Sequence, residues 1–141
     1  PVIPSHQGPD AQTVDPELDV VTMAVKVPEN IAHMHNWAVQ LTRTASPEDL
    51  LNAFAKSSRI AMIRVNDGLT ALNTVKEFTS DAGRPRNNLY EVALWEDLVT
   101  TREDEAFYAY MVDNQAIVIP ETTVSMAKTN AALGIGSAFM V

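Results

Sequence analysis

Three histidines, His6, His33 and His35, are the side chains of this sequence best suited to move a proton near neutral pH. His33 and His35 stand two residues apart. On an extended segment that spacing projects both imidazoles to one face, and with His6 nearby the three could hold a zinc ion. Alternatively, one of them serves as a general base, because a neutral imidazole can take a proton from a nucleophile or a hydroxyl. The plainest reading is that one histidine packs and another is solvated. Ser5 adjoins His6 too closely in sequence to be read as a catalytic pair, and no G-x-S-x-G elbow occurs. The chain has no cysteine, so disulfides, thiolate metal sites and a thiol nucleophile are excluded from its own chemistry.

Other charged groups are less specific. Arg84 and Arg86 flank Pro85 and could grip an anion through their guanidinium donors, although such pairs more commonly bond loop carbonyls and carboxylates. Glu96 and Asp97 could form a carboxylate pair, but nothing in the sequence places a substrate between them. The run Arg102-Glu103-Asp104-Glu105 is most simply a solvated hairpin turn. Neither G-x-G-x-x-G nor G-x-x-x-x-G-K-[ST] occurs, so the chain carries no recognisable phosphate loop for a nucleotide.

The elements that must position these groups follow from periodicity. The opening PVIPSHQGPD is rich in Pro and is expected to be extended and irregular. From Leu18 to Val27, Val21, Met23, Val25 and Val27 alternate with Val20, Thr22, Ala24 and Lys26, which predicts a strand ended by Pro28. Met34 to Arg43 predicts a second, with Trp37, Val39 and Leu41 on one side. Ser46-Pro47-Glu48-Asp49 reads as a capping box with Pro at the first helical position, leading into a helix whose stripe is Leu50, Leu51 and Phe54.

Arg59 to Val65 is a further predicted strand, and Leu69 to Ala82 a helix with Leu72, Val75 and Phe78 inward and Gly83 at its end. GRPRNN is expected to be a loop. Glu91 to Thr101 and Phe107 to Val112 read as two strands joined across the acidic turn, and Ile117 to Ile119 as a short apolar run. From Glu121 or Thr122 onward, Val124, Ala127, Ala131 and Ile135 fit a terminal helix, weakened by Gly134 and Gly136. The fold class expected is α+β: a mixed, mainly antiparallel sheet with helices packed on one face, plus a C-terminal helix.

Composition narrows the function classes. The length, 141 residues, suits one compact domain, so residues 1–141 are read as a single unit. A net charge of −8 gives no attraction to nucleic acid or anionic lipid. No stretch approaches the ~18 consecutive apolar residues of a membrane-spanning helix. Nothing at the N-terminus has the plan of a signal peptide, so a cytoplasmic location is the expectation.

The blocks PSHQGPD, TMAVKVPENIAHMHN, GRPRNNLYEVALWED, IVIPE and KTNAALGI, in that order, resemble the catalytic domain of archaeal-type (class II) glyceraldehyde-3-phosphate dehydrogenase over nearly the whole chain. The resemblance implies a partner Rossmann domain that binds NAD or NADP and oxidation of glyceraldehyde 3-phosphate through a cysteine thioester. It also implies cleavage of that thioester by inorganic phosphate, and assembly as a homotetramer. It matches His33 to the family's active-site histidine. His6 and Gln7 fall where the family has a His-His pair contacting substrate, and Asn114 where it has a Gln near the nicotinamide. Gln7 cannot carry positive charge and Asn114 has the shorter reach. The nucleophilic cysteine and the dinucleotide fingerprint, upstream in the family, are absent from these 141 residues. The resemblance therefore implies half of an active site. A non-catalytic oligomerisation or binding module that keeps the fold is the alternative.

Overall fold

The computed structural model describes residues 5–28, 31–114 and 116, and the backbone of residues 135–140. The elements are α1 (Gln7–Gln12), β1 (Val20–Thr22), β2 (Ala32–Leu41), α2 (Pro47–Ala55), β3 (Ile60–Ile63), α3 (Leu72–Asp81), β4 (Val92–Trp95), β5 (Thr100–Arg102), β6 (Glu105–Asp113) and β7 (Ile135–Met140). Among the described residues the strands form one sheet in the order β1-β7-β2-β6-β4-β3, with β5 beside β6. The β2/β6, β2/β7, β4/β6 and β5/β6 ladders are antiparallel, whereas β1/β7 and β3/β4 are parallel. This is the mixed, mainly antiparallel α+β sheet that the sequence predicts.

The two longer helices do not share a face. Leu50 and Phe54 of α2 pack with Trp37, Val92, Leu94, Tyr108 and Tyr110, and the Phe54 ring meets Tyr108 edge-on at 5.1 Å. Val75 of α3 packs with Ala93, Trp95 and Met111, which alternate with that set along β4 and β6 and so face the other way. The Trp95 indole N–H donates to the Leu69 carbonyl at 2.6 Å, tying the approach to α3 onto this second face. Both faces of β4 and β6 are thereby covered, which is why Val92 to Trp95 reads as unbroken apolar sequence instead of alternating.

The start of α2 is formed as its sequence dictates. The Asp49 amide donates to the Ser46 hydroxyl at 3.1 Å, the Ser46 amide donates to the Asp49 carboxylate at 2.9 Å, and Pro47 opens the helix. Those hydrogen bonds from Ser46 hold the Asp49 carboxyl below its ordinary value. Gly83 follows α3 at φ +71, a conformation that admits glycine without strain.

Several expectations are corrected. The opening segment, described from Ser5, is helical over Gln7–Gln12 because Pro9 lies in the first turn, where a backbone N–H has no intrahelical acceptor to lose. The strand expected over 18–27 forms a ladder at Val20–Thr22, in parallel pairing with β7, and a single further bridge at Ala24. Within it Thr22 is buried and Val21, Val25 and Val27 are exposed. Thr22 tolerates burial because its hydroxyl donates to the Ser5 carbonyl at 3.0 Å and accepts the Gly8 amide at 3.2 Å.

In α3, Phe78 is exposed and Thr79 takes the buried position, with its hydroxyl within 2.8 Å of the Lys76 carbonyl and 2.9 Å of the Asn87 carbonyl. The strand expected over 91–101 is broken by a 3₁₀ turn at Glu96–Leu98. The terminal helix and the run Ile117 to Ile119 lie outside the described residues, except that Ile135 opens β7 instead of closing a helix. A β-branched residue between Gly134 and Gly136 is a weak helical end, and strand is what forms there. Among the described residues no helix is long and apolar enough to cross a membrane.

Candidate functional site

β2 has two halves. Residues 37–40 are laddered to β6 on one side and β7 on the other and Leu41 to β7, whereas from Ala32 to Asn36 the ladder to β6 is the one formed among the described residues, the β7 register stopping at Trp37. The segment after β1 borders the open stretch. A cleft of about 240 Å³ forms there, lined by Met23, Ala24 and Val25 on one side, by His33 through Asn36 on the other, and by Gln7.

The α1 end is brought to this cleft by close backbone contact. The Ser5 amide donates to the Thr22 carbonyl at 2.9 Å, and a side chain on Gly8 would stand 3.0 Å from the Thr22 hydroxyl, so glycine is what lets the first turn sit against β1. The Ser5 hydroxyl donates to the Gln7 side-chain oxygen, which leaves the Gln7 amide presenting neutral N–H donors.

His33 and His35 lie on the same face of β2, opposite Val112 and Tyr110 of β6. Their rings are 6.1 Å apart, and they divide the roles that the spacing left open. His35 is 2% exposed and stacks obliquely on Tyr110 at 5.1 Å, and burial, followed by the neighbouring His33, pushes its pKa down to about 4. It is therefore neutral near pH 7. His33 is exposed, and partial burial, then the electrostatic neighbourhood of His6, holds it below its ordinary value. His6 is thus close enough to be felt at His33. Among the described residues no group of three or more His, Cys, Asp or Glu side chains is gathered as a metal ion would require.

His33 also borders an adjoining cleft of about 450 Å³, shared with Lys26, Met34 and Leu72. Sequence reasoning missed Lys26 and Asn36 as lining groups; His35 was singled out there through its two-residue spacing from His33. Asn114 lines neither cleft. It is half-buried just past β6, where its amide donates to the Ile31 carbonyl at 3.3 Å, next to the start of β2. Arg84 is committed to Glu91 through two contacts of 2.5 and 3.0 Å, which raise the arginine pKa and lower that of the carboxyl. Asp97 accepts the Val65 amide at 2.7 Å. These two belong to the framework, and the Arg102–Glu105 pair at 2.6 Å staples the exposed hairpin turn.

The family model for the glyceraldehyde 3-phosphate dehydrogenase C-terminal domain matches residues 1–97. The chain belongs to that family. Among curated relatives, glyceraldehyde-3-phosphate dehydrogenase of Pyrobaculum calidifontis is 44% identical, over 94% of this chain and 38% of the relative. The enzyme of that name from Metallosphaera sedula is 35% identical over 99% of this chain and 45% of the relative. That from Methanobacterium bryantii is 33% identical over 96% and 44%. The chain spans less than half the length of these relatives, so the glyceraldehyde 3-phosphate dehydrogenase domain seen here corresponds to one part of their architecture.

Proposed function

We propose that this chain is the catalytic-domain portion of a phosphorylating, NAD(P)-dependent glyceraldehyde-3-phosphate dehydrogenase. A dinucleotide-binding half supplies the nucleophilic cysteine. The observation that carries the reading is His33: an exposed imidazole, held below its ordinary pKa, on the wall of a cleft that Gln7 shares, in a chain of this family. Such a group is neutral near pH 7 and competent to accept a proton.

In this reading an aldehyde phosphate enters the cleft, where the amide of Gln7 and the imidazole of His6 hold its oxygens. Lys26 brings a positive charge to the adjoining cleft that His33 also borders. The imidazole nitrogen of His33 takes the proton of the cysteine thiol as the sulfur attacks the aldehyde carbon, and returns it to the oxygen of the thiohemiacetal. It takes the hydroxyl proton again as the carbon is oxidised to the thioester, which inorganic phosphate then cleaves to the acyl phosphate and free thiol. NAD or NADP, when bound, supplies the hydride acceptor. The resemblance assigns Asn114 to the nicotinamide, whose amide its neutral carboxamide would pair with, but Asn114 lines neither cleft and its side-chain oxygen is buried. Assembly as a homotetramer and a cytoplasmic location accompany the reading.

The absence of cysteine from all 141 residues favours a second reading, a non-catalytic module that keeps the fold for oligomerisation or binding. One assay separates the two. The chain is joined to a dinucleotide-binding half bearing the cysteine and mixed with glyceraldehyde 3-phosphate and NAD or NADP. Reduced cofactor is expected to form only when inorganic phosphate is present; no reduction with either cofactor overturns the dehydrogenase reading.

A further inference from the structure

Hydrogen bonding between β2 and β6 alternates along the strand, and two bonds at the ends of the ladder fix its phase. The Leu41 amide donates to the Asp104 carbonyl at 2.7 Å, and the Asn114 amide donates to the Ile31 carbonyl at 3.3 Å. Both pairs continue the register that sets Ala32 against Asp113 and Gln40 against Glu105. In an antiparallel ladder every second residue exchanges bonds with its partner, so the odd-numbered residues of β2 turn their backbone groups to β6. The even-numbered ones, Ala32 to Gln40, turn theirs the other way.

For Ala38 and Gln40 that direction is occupied by β7. For Met34 and Asn36 it is the cleft of about 240 Å³, whose far wall is Met23, Ala24 and Val25. β7 lies between β1 and β2, and its register stops at Thr22 and Trp37. Past that point the continuation of β1 and the open half of β2 face each other across two strand spacings, about 9.5 Å at the last pairing. Among the described residues no strand continues that line. Two backbone N–H groups, about 6.8 Å apart along β2, therefore point into the cleft, and a main-chain donor demands an acceptor. The ladder to β6 holds them in place, so they have no rotamer to lose. Met34 directly follows His33 and, like it, borders both clefts.

We propose that the Met34 backbone N–H is a catalytic donor: it hydrogen-bonds the aldehyde oxygen of the substrate and stabilises the negative charge that gathers there as the cysteine sulfur attacks. The proposal rests on the dehydrogenase reading above. A fixed donor aimed at the place where charge develops needs no reorganisation as the bond forms, and the apolar wall opposite strengthens the interaction. His33 then delivers its proton to that oxygen.

The test removes this N–H in two ways in the chain joined to its dinucleotide-binding half. Met34→Pro deletes it at an edge position, where proline is tolerated, and an ester in place of the amide between His33 and Met34 deletes it while keeping the side chain. Both are expected to lower kcat about tenfold or more with the KM for NAD(P) unchanged. The same ester at Ala38, whose N–H meets β7, is expected to lower the melting temperature and leave kcat unchanged. Hydrogen exchange reads the edge itself: without ligand the Met34 and Asn36 amides should exchange about tenfold or more faster than those of His33 and His35. Glyceraldehyde 3-phosphate alone should slow exchange at Met34.

Full kcat in the Met34 ester variant overturns the proposal, as does an equal loss of kcat in the Ala38 variant. Protection of the Met34 amide without ligand overturns it too, because another strand then covers the edge. If the unsubstituted joined enzyme reduces no cofactor, the dehydrogenase reading falls and the donor role with it; an active enzyme indifferent to the ester loses the donor role alone.

Discussion

The two halves of β2 are one strand in two environments. Residues 37–40 are laddered on both sides, and Trp37, Val39 and Leu41 are buried against the α2 face. Among the described residues, 32–36 are laddered to β6 alone, and His33, Met34 and Asn36 are exposed. The apolar half contributes to the fold through area removed from water. The open half leaves polar groups at a cleft wall, where they are held by the ladder to β6 but not covered. A rigid strand that runs out from under its neighbour thus supplies both precision and access, which a loop would do less well.

The largest test of this contrast is Trp37→Ala, expected to cost about 3–5 kcal/mol of unfolding free energy by denaturant titration. Met34→Ala, three residues earlier and outward-facing, is expected to change stability by no more than about 0.5 kcal/mol. Equal effects would dissolve the distinction between the halves.

His35 marks the boundary between them, and pH reads it. Its folded pKa of about 4 lies below the ordinary 6.5, so between these values the unfolded chain binds the extra proton. Its contribution is fully present above pH 6.5 and is lost as pH falls toward 4, by about 3 kcal/mol at most. His35→Gln should flatten the stability profile within that window; an unchanged slope would show that the imidazole is not the group responsible. Away from β2, Ser46→Ala should lower stability by about 1 kcal/mol through loss of the α2 cap, measured as a shift in the denaturation midpoint.

The smallest effect is at the open half. His6 contributes to lowering the His33 pKa. In the joined enzyme, His6→Ala should therefore move the acid limb of kcat/KM toward higher pH, narrowing the range in which His33 is neutral. A limb that stays in place would mean that His6 is not felt there.

How much of this was legible in the sequence varies with how local the cause is. The α2 cap and the buried alternation of Trp37, Val39 and Leu41 are written in adjacent residues and formed as read. Which face of the first strand is buried was not legible: Thr22 is inward, its hydroxyl satisfied by Ser5 and Gly8, contacts some 14 to 17 residues away. Phe78 yielded its inward place to Thr79 because the latter's hydroxyl reaches the Asn87 loop. The division of the helices between two faces depends on the order of strands, which periodicity does not encode. At the site, spacing placed His33 and His35 on one face but could not say which would be buried. The approach of Gln7 came only from family resemblance, because it depends on a glycine contact across chain segments; His6 was otherwise brought in only by the three-imidazole alternative. The Lys76–Asp113 pair spans 37 residues and had no sequence signal at all.

The central claim is that the open half of β2 serves chemistry and the covered half serves the fold. The most direct measurement is His33→Ala in the chain joined to its dinucleotide-binding half, with phosphate-dependent NAD(P) reduction and melting temperature recorded on the same preparation. The account expects kcat to fall by about 10²–10⁴-fold while the melting temperature stays unchanged within error. A variant that keeps its full rate, or that loses rate only in proportion to a lowered melting temperature, contradicts it.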